Sequence, residues 1–138
     1  MSGKQPPITS LTYKGRSFGI IVLTAAQLLI GTIHLVIGLA LLAAQLSAGT
    51  GSLAYAVYTV LFGALIVVFA GLIWRSKKAG WVGTVAVSLF VITADTLTVL
   101  GLSSVPGIPS FAAPTEIGYS LLVIIYLSLP HVRKKFGV

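Results

Sequence analysis

The chain contains no cysteine and no asparagine, a single methionine, and only two acidic residues, Asp95 and Glu116. Without cysteine it can form no disulfide, no thiolate metal site and no dithiol redox centre. Proteins of hyperthermophiles are depleted in the thermolabile residues Asn, Gln, Cys and Met. The composition therefore favours a thermophilic prokaryote as the source.

Charge is scarce as well. Charged residues make up 8% of the 138 residues and hydrophobic residues 57%, whereas roughly a quarter of an average soluble domain is charged. A soluble fold of this composition would have too few charged residues to cover its surface, but a surface in contact with lipid needs none. The composition predicts an integral membrane protein embedded in a lipid bilayer.

Four apolar runs predict four membrane-spanning helices, since about 20 apolar residues cross a bilayer as a helix. The first three runs are separated by a glycine-rich turn and a basic connector, and a proline-rich loop precedes the fourth. We expect an all-α, integral membrane four-helix bundle that forms one domain over residues 18–138, after a polar cytoplasmic tail at residues 1–17. The predicted spans are residues 18–46, 53–74, 81–102 and 115–130.

The nine lysines and arginines fall into three groups of three, in the amino-terminal tail, the central connector and the carboxyl-terminal tail. Four spans place all three groups on one side, as the positive-inside rule requires. We therefore predict a multi-pass protein of the cell membrane with both termini in the cytoplasm. The net charge of +7 is explained by this topology, and no nucleic-acid partner is expected.

The basic groups have a second possible role, because juxtamembrane clusters of this kind also bind anionic lipid headgroups. A role as topology determinants alone is the simpler interpretation. The residues concerned are Arg75, Lys77, Lys78, Arg133, Lys134 and Lys135.

Polar residues recur at helical spacing within the spans and should face the bundle interior, since lipid cannot satisfy hydrogen bonds. At about 1.5 Å per residue, His34 lies roughly 24 Å from the start of its span and Asp95 roughly 21 Å from the start of its own. Both should lie in the outer half of the membrane, with Asp95 bonded to His34 or to a tyrosine hydroxyl. The predicted intramembrane polar cluster is His34, Asp95, Tyr58 and Tyr119. The accompanying polar stripe is Gln27, Gln45, Thr84, Ser88 and Thr98.

Three interpretations of the Asp95–His34 pair remain open. It could be a structural pair that fixes helix packing, a site that handles protons or ions, or a contact with a partner subunit or ligand. Small residues within the spans are interpreted as sites of close helix packing rather than as a ligand cradle. These residues are Gly31, Gly38, Gly63 and Gly71.

No catalytic residue, cofactor site or metal site is predicted. The two histidines, His34 and His131, lie at opposite membrane sides, so one chain cannot ligate a haem with both. No serine lies in a nucleophile elbow. Glu116 is expected at the start of the fourth helix, where the helix dipole favours a carboxylate.

Two local patterns resemble small uncharacterised four-helix integral membrane proteins of archaea. One is the basic connector from Trp74 to Trp81, flanked by two tryptophans, and the other is the ending from Pro130 to Gly137. The resemblance covers about 20 residues of the chain. It implies an archaeal membrane and four helices, and it implies no activity.

With little mass outside the membrane, the chain is expected to be a non-enzymatic subunit. It would assemble with copies of itself or join a larger membrane complex, for example a respiratory or transport complex. The alternative is a small oligomeric transporter of protons, ions or another solute that uses the intramembrane pair Asp95 and His34.

Overall fold

A computed structural model describes residues 12–13, 16–102, 109 and 111–138 of the chain. Two short strands, β1 (Thr12–Tyr13) and β2 (Arg16–Ser17), pair antiparallel before the first helix. Five helices follow: α1 (Phe18–Ala48), α2 (Leu53–Trp74), α3 (Lys78–Val99), α4 (Ala113–Ser128) and α5 (Pro130–Phe136). Most of the predicted tail at residues 1–17, and residues 103–108 and 110 of the proline-rich loop, lie outside the described residues.

Local sequence explains where the helices stop and start. Gly49, with φ of 62°, ends α1 in the left-handed conformation that glycine adopts readily. The Ser52 hydroxyl accepts a hydrogen bond from the Tyr55 amide at 3.2 Å and caps α2. Gly101, with φ of 73°, follows the end of α3, where the Leu102 amide donates to the Leu97 carbonyl at 2.8 Å. These signals give α1 and α2 nearly the predicted bounds.

The bounds of α3 and α4 differ from the predicted spans. α3 begins at Lys78 instead of residue 81 and ends at Val99 instead of residue 102. α4 begins at Ala113 instead of residue 115, with proline in its first turn. Proline is tolerated there because the first amides of a helix have no acceptor within it. The predicted start of α3 was late because apolarity was used to locate it, whereas the helix begins within the polar connector. The predicted start of α4 was late because Pro114 was assigned to the loop, whereas it lies in the first turn of the helix.

The bundle has two distinct ends. At the tail end α1 and α3 begin and α2 and α4 end, and at the loop end α1 and α3 end and α2 and α4 begin. A buried apolar cluster at the tail end contains side chains from α1, α2, α4 and α5, with Trp81 of α3 packed against it. The Trp81 indole also donates to the Leu127 carbonyl at 2.9 Å and so joins α3 to α4. Five helices therefore meet at this end.

α1 and α2 approach each other closely at glycines. A Cβ atom on Gly38 would lie 2.7 Å from the Val60 amide nitrogen, and one on Gly63 would lie 2.7 Å from the Leu35 amide nitrogen. Gly31 lies against the backbone of Gly63 in the same interface. Small residues permit such backbone approach in membrane helix pairs. Gly71, predicted for the same role, has no atom within 4 Å of a Cβ position among the described residues.

The surface and interior have the polarity of a protein in lipid. Large apolar side chains cover the outside of α1, α2 and α3, for example Leu29 (64% exposed) and Val36 (62% exposed). Buried side chains include Gln27, Thr84 and Asp95. In water this distribution would be unfavourable, whereas in lipid it places hydrogen-bonding groups away from hydrocarbon.

Helix length agrees with this environment. α1, α2 and α3 are long and apolar enough to cross a membrane, and α4 passes the same test only together with α5, which is bent from it by 77°. Apart from the short β1–β2 pair, the described residues are helical as predicted, and three to four helices are long and apolar enough to span a membrane.

The carboxyl-terminal segment forms α5, which the sequence analysis treated as a tail. Leu129 is extended (ψ 133°) before Pro130, as is usual for a residue that precedes proline, and the chain turns there. Val132 and Phe136 are buried against the tail-end cluster. The basic residues of α5 lie on its exposed side.

Candidate functional site

A cavity of about 280 Å³ lies inside the bundle, between α1, α2, α3 and α4. We call it the central cavity. Its walls are mostly apolar, with polar groups contributed by α1, α3 and α4. The lining residues are Gln27, Ile30, His34, Phe62, Ile66, Phe69, Thr84, Val87, Ser88, Val91, Thr115, Glu116, Tyr119 and Ser120. A concave, largely apolar site with a few polar groups is the usual form of a small-molecule site.

The loop end of the cavity carries an ion pair between α1 and α4. His34 Nε2 lies 3.8 Å from Glu116 Oε1, and the two side chains are 23% and 32% exposed. His34 Nδ1 lies 2.8 Å from the Ile30 carbonyl oxygen, which fixes the orientation of the ring and requires the proton on Nδ1. Nε2 therefore faces the carboxylate, and it can donate a hydrogen bond only when the ring also carries a second proton.

Asp95 lies deeper in the protein than this pair. It is 1% exposed, and neither carboxylate oxygen has a hydrogen-bond partner among the described residues. Its electrostatic interaction is with the Glu116 carboxyl. The structure does not contain the predicted hydrogen bond from Asp95 to His34 or to a tyrosine hydroxyl. Two adjacent carboxylates are both acceptors, so neither can satisfy the other unless a proton lies between them.

The two predicted tyrosines lie on different sides of Phe62. The ring of Phe62 contacts His34 edge-on, with centroids 4.9 Å apart, and stacks on Tyr58 with centroids 5.9 Å apart. Tyr58 therefore lies away from the cavity, whereas Tyr119 lines it. Neither tyrosine hydroxyl has a hydrogen-bond partner in the part of the chain that the structure describes. The four residues of the predicted polar cluster do not form one hydrogen-bonded group.

The side of the cavity nearer the tail end is lined by part of the predicted polar stripe. Gln27 Nε2 donates to Thr84 Oγ1 at 3.4 Å, between α1 and α3. Gln27 is 4% exposed, and its Oε1 atom accepts no hydrogen bond from the described residues. Ser88 lies one turn farther along α3, buried, and lines the same space. A buried amide oxygen without a donor is costly, so a ligand or water donor at this position would stabilise the protein.

The other two stripe residues lie elsewhere. Thr98 is buried, but its hydroxyl donates to the Ala94 carbonyl of its own helix at 3.0 Å. Gln45 is at the end of α1, and with its amide oriented to suit its neighbours, its nitrogen donates to Thr50 and Gly51 carbonyls at 2.8 and 2.9 Å. Neither residue lines the central cavity.

The predicted basic residues are separated from this site. The connector between α2 and α3 and the last turn of α5 are both at the tail end, and both acidic side chains of the chain are toward the loop end. In the part of the chain that the structure describes, no lysine or arginine lines the central cavity. Among the described residues, no three histidine or carboxylate side chains are arranged to hold a metal ion.

Sequence reasoning missed the cavity role of Glu116 and Ser120. Glu116 is in the first turn of α4 as expected, but its side chain also reaches His34 and Asp95. The signal was present, since Glu116 at the loop end of α4 lies at the same level as His34, which is just past the middle of α1. Ser120 carried no comparable signal, because one serine in an apolar helix is usually neutral for packing.

Comparisons with known proteins give no further assignment. A scan against protein-family models finds no match, and neither the curated proteins nor the solved structures searched contain one.

Proposed function

We propose that the protein is a non-enzymatic membrane protein that binds a small solute in the central cavity and carries it across the cell membrane. The observation that supports this proposal is the cavity itself. It lies between α1, α2, α3 and α4, and one of the residues that line it, Gln27, has a buried amide oxygen without a donor among the described residues. If the role of the bundle were only structural, larger side chains that fill this space would make it more stable, since a cavity costs free energy in proportion to its volume.

The proposed orientation places the tail end in the cytoplasm, with both termini inside. Six basic residues of the connector and α5 are at that end, and lysine and arginine are enriched in cytoplasmic segments. The His34–Glu116 pair then faces the outer half of the membrane. In this orientation the pair lies at the end of the cavity through which an external solute would enter.

A second candidate function is a subunit that packs against copies of itself or against a larger respiratory or transport complex. The observation that favours it is that Gly71 and Gly118 lie on the exposed sides of α2 and α4. No described atom approaches either Cβ position within 4 Å. Small residues on a lipid-facing surface allow another helix to approach closely.

Native mass spectrometry of the protein extracted gently from its own membranes tests both candidates. Solute binding predicts a small non-covalently bound molecule on the unmodified chain. In Ser120→Leu the larger side chain would project into the cavity, and the bound small molecule should be lost. Ser128→Leu is the matched control, because it is the same change on the same helix at an exposed position outside the cavity.

For each of the two candidate functions, a specific result would contradict it. If no small molecule is bound, or if Ser120→Leu and Ser128→Leu retain it equally, the central cavity is not the binding site. If the chain is recovered in fixed stoichiometry with a larger membrane complex and carries no small molecule, it is a subunit and the solute proposal is wrong.

A further inference from the structure

We propose that the solute of the central cavity is a small, mostly apolar molecule with one amine or quaternary ammonium group, and that Glu116 is its counter-ion. This inference rests on the proposed function, because it names the chemical class of ligand for the same cavity.

The charge distribution selects a cation. Glu116 is the only carboxylate that lines the cavity, and its partner His34 carries a charge only when protonated. Asp95 contributes a second carboxyl beside Glu116. Among the described residues, no lysine or arginine borders the space. An anion at this end would meet charge of its own sign in a medium of low dielectric constant, where the repulsion is large.

The walls suit an apolar cation. Phe62 and Phe69 present aromatic rings to the cavity, and Ile66, Val87 and Val91 provide aliphatic surface. Cations are attracted to aromatic faces, and the attraction increases when water is excluded. A strongly hydrated inorganic ion would lose its water without gaining enough oxygen ligands. An organic cation keeps its charge at Glu116 and buries its apolar part against these walls.

A second observation, independent of charge, comes from Gln27. Gln27 lines the cavity, and its buried Oε1 atom has no donor among the described residues. Gln27 and His34 are seven residues apart on one face of α1, so the two polar ends of the cavity are about 10 Å apart. A ligand with an ammonium group at Glu116 and an N–H or O–H group at its other end would satisfy both.

The cavity volume limits the size of the ligand. About 280 Å³ is close to twice the engineered cavity of about 150 Å³ that holds benzene in another protein. A phenyl ring with one small ammonium group is therefore within the limit, whereas large polycyclic cations are not.

Two isosteric probes test the inference: benzyltrimethylammonium and neopentylbenzene, in which a carbon atom replaces the charged nitrogen. Binding of each is measured to the intact protein in nanodiscs, with binding to empty nanodiscs subtracted. We expect the cation to bind about tenfold more tightly than the neutral probe or better, a difference of about 1.4 kcal/mol. Glu116→Gln should remove this preference, because it should weaken binding of the cation and leave binding of the neutral probe unchanged.

Two further variants control for general damage. Glu116→Asp keeps the carboxylate and should retain the preference for the cation. Ser128→Leu changes an exposed residue of the same helix that does not line the cavity, and should leave the affinities of both probes unchanged.

Equal binding of the two probes, or cation binding that Glu116→Gln leaves intact, would overturn the inference. If neopentylbenzene binds and the cation does not, the cavity still binds solutes and only the ligand class is wrong. If neither probe binds, the ligand class is also wrong. Native mass spectrometry of the protein from its own membranes then still decides whether the cavity holds a solute.

Discussion

Asp95 is the residue whose presence is least explained by packing. It is almost fully buried, and its carboxylate oxygens have no hydrogen-bond partner within the described ranges. An ionisable group without a partner at membrane depth opposes folding. Its neighbour Glu116 lines the cavity, so Asp95 lies beside the end where we place a cation. We propose that its role is functional rather than structural.

Asp95→Asn is expected to leave the free energy of unfolding unchanged or to raise it by about 1–3 kcal/mol. The amide is neutral, and its N–H groups can donate to Glu116, which the carboxylate cannot do. Denaturant unfolding in detergent micelles, followed by circular dichroism, measures the change.

Thr98→Val is a suitable comparison on the same helix, because it removes a hydrogen bond to the Ala94 carbonyl and should cost about 0.5–1.5 kcal/mol. A loss of stability in Asp95→Asn larger than in Thr98→Val would show that Asp95 has a structural partner after all.

For a single residue, the sequence predicts how deep in the membrane the side chain lies, but not which neighbouring side chain it faces. Helix rise placed His34 and Asp95 at similar levels, and both do lie toward the loop end. Rise carries no information about which neighbouring side chain lies between two residues, and Phe62 separates His34 from Tyr58. Glu116 was interpreted from its own helix alone, since nothing in the sequence shows which helix faces it.

Among the helices, the pair α1 and α2 is held together by close backbone contact. Gly31, Gly38 and Gly63 leave no room for a side chain in this interface. Since lipid and apolar side chains are similarly apolar, such a pair is stabilised mainly by van der Waals contact and close fit. This rigid pair forms one wall of the cavity, and His34 is fixed to it by the contact with the Ile30 carbonyl.

Gly63→Ala should destabilise the bundle by about 1–3 kcal/mol. The new Cβ would lie 2.7 Å from the Leu35 amide nitrogen and 2.8 Å from the Gly31 carbonyl oxygen, so backbone rather than a flexible side chain would have to move. The same unfolding assay measures the loss.

Gly71→Ala provides the control in the same helix, because its Cβ would enter open space, and it should be neutral or slightly stabilising. If the two variants have equal effects, α1 and α2 are not packed as described here.

Sequence spacing located three packing glycines correctly because they share a face with the polar residues of α1 or lie opposite them. Gly71 fits the same pattern, but no described atom lies within 4 Å of its Cβ position, since spacing identifies a face of one helix and not the helix that covers it. A Cβ atom on Gly80, by contrast, would lie 2.6 Å from backbone atoms of α2, and this close contact was overlooked within the basic connector. α5 was overlooked for a related reason, since seven residues are too few to show a helical period.

The described part of the molecule combines an apolar exterior with a partly polar, hollow interior, in which both acidic residues lie toward one end. The apolar helices could be predicted from composition and run length, because the bilayer sets the length of each apolar helix; three to four of them are long enough to span. The cavity could not be predicted, since it depends on how far apart four helices lie. The cytoplasmic position of both termini, the archaeal source and the thermophilic origin remain predictions.

The central claim, that a solute reaches the interior of the bundle, is tested most directly by thiol accessibility. The chain contains no cysteine, so single-cysteine variants need no altered background. Ser88→Cys places a thiol in the central cavity, and Ala94→Cys places one at a buried position of the same helix outside it. Each variant is reconstituted in proteoliposomes and treated from either side with a small, membrane-impermeant methanethiosulfonate reagent. A solute carrier predicts that Ser88→Cys reacts from both sides while Ala94→Cys stays unmodified; protection of Ser88→Cys from both sides would contradict the proposed function.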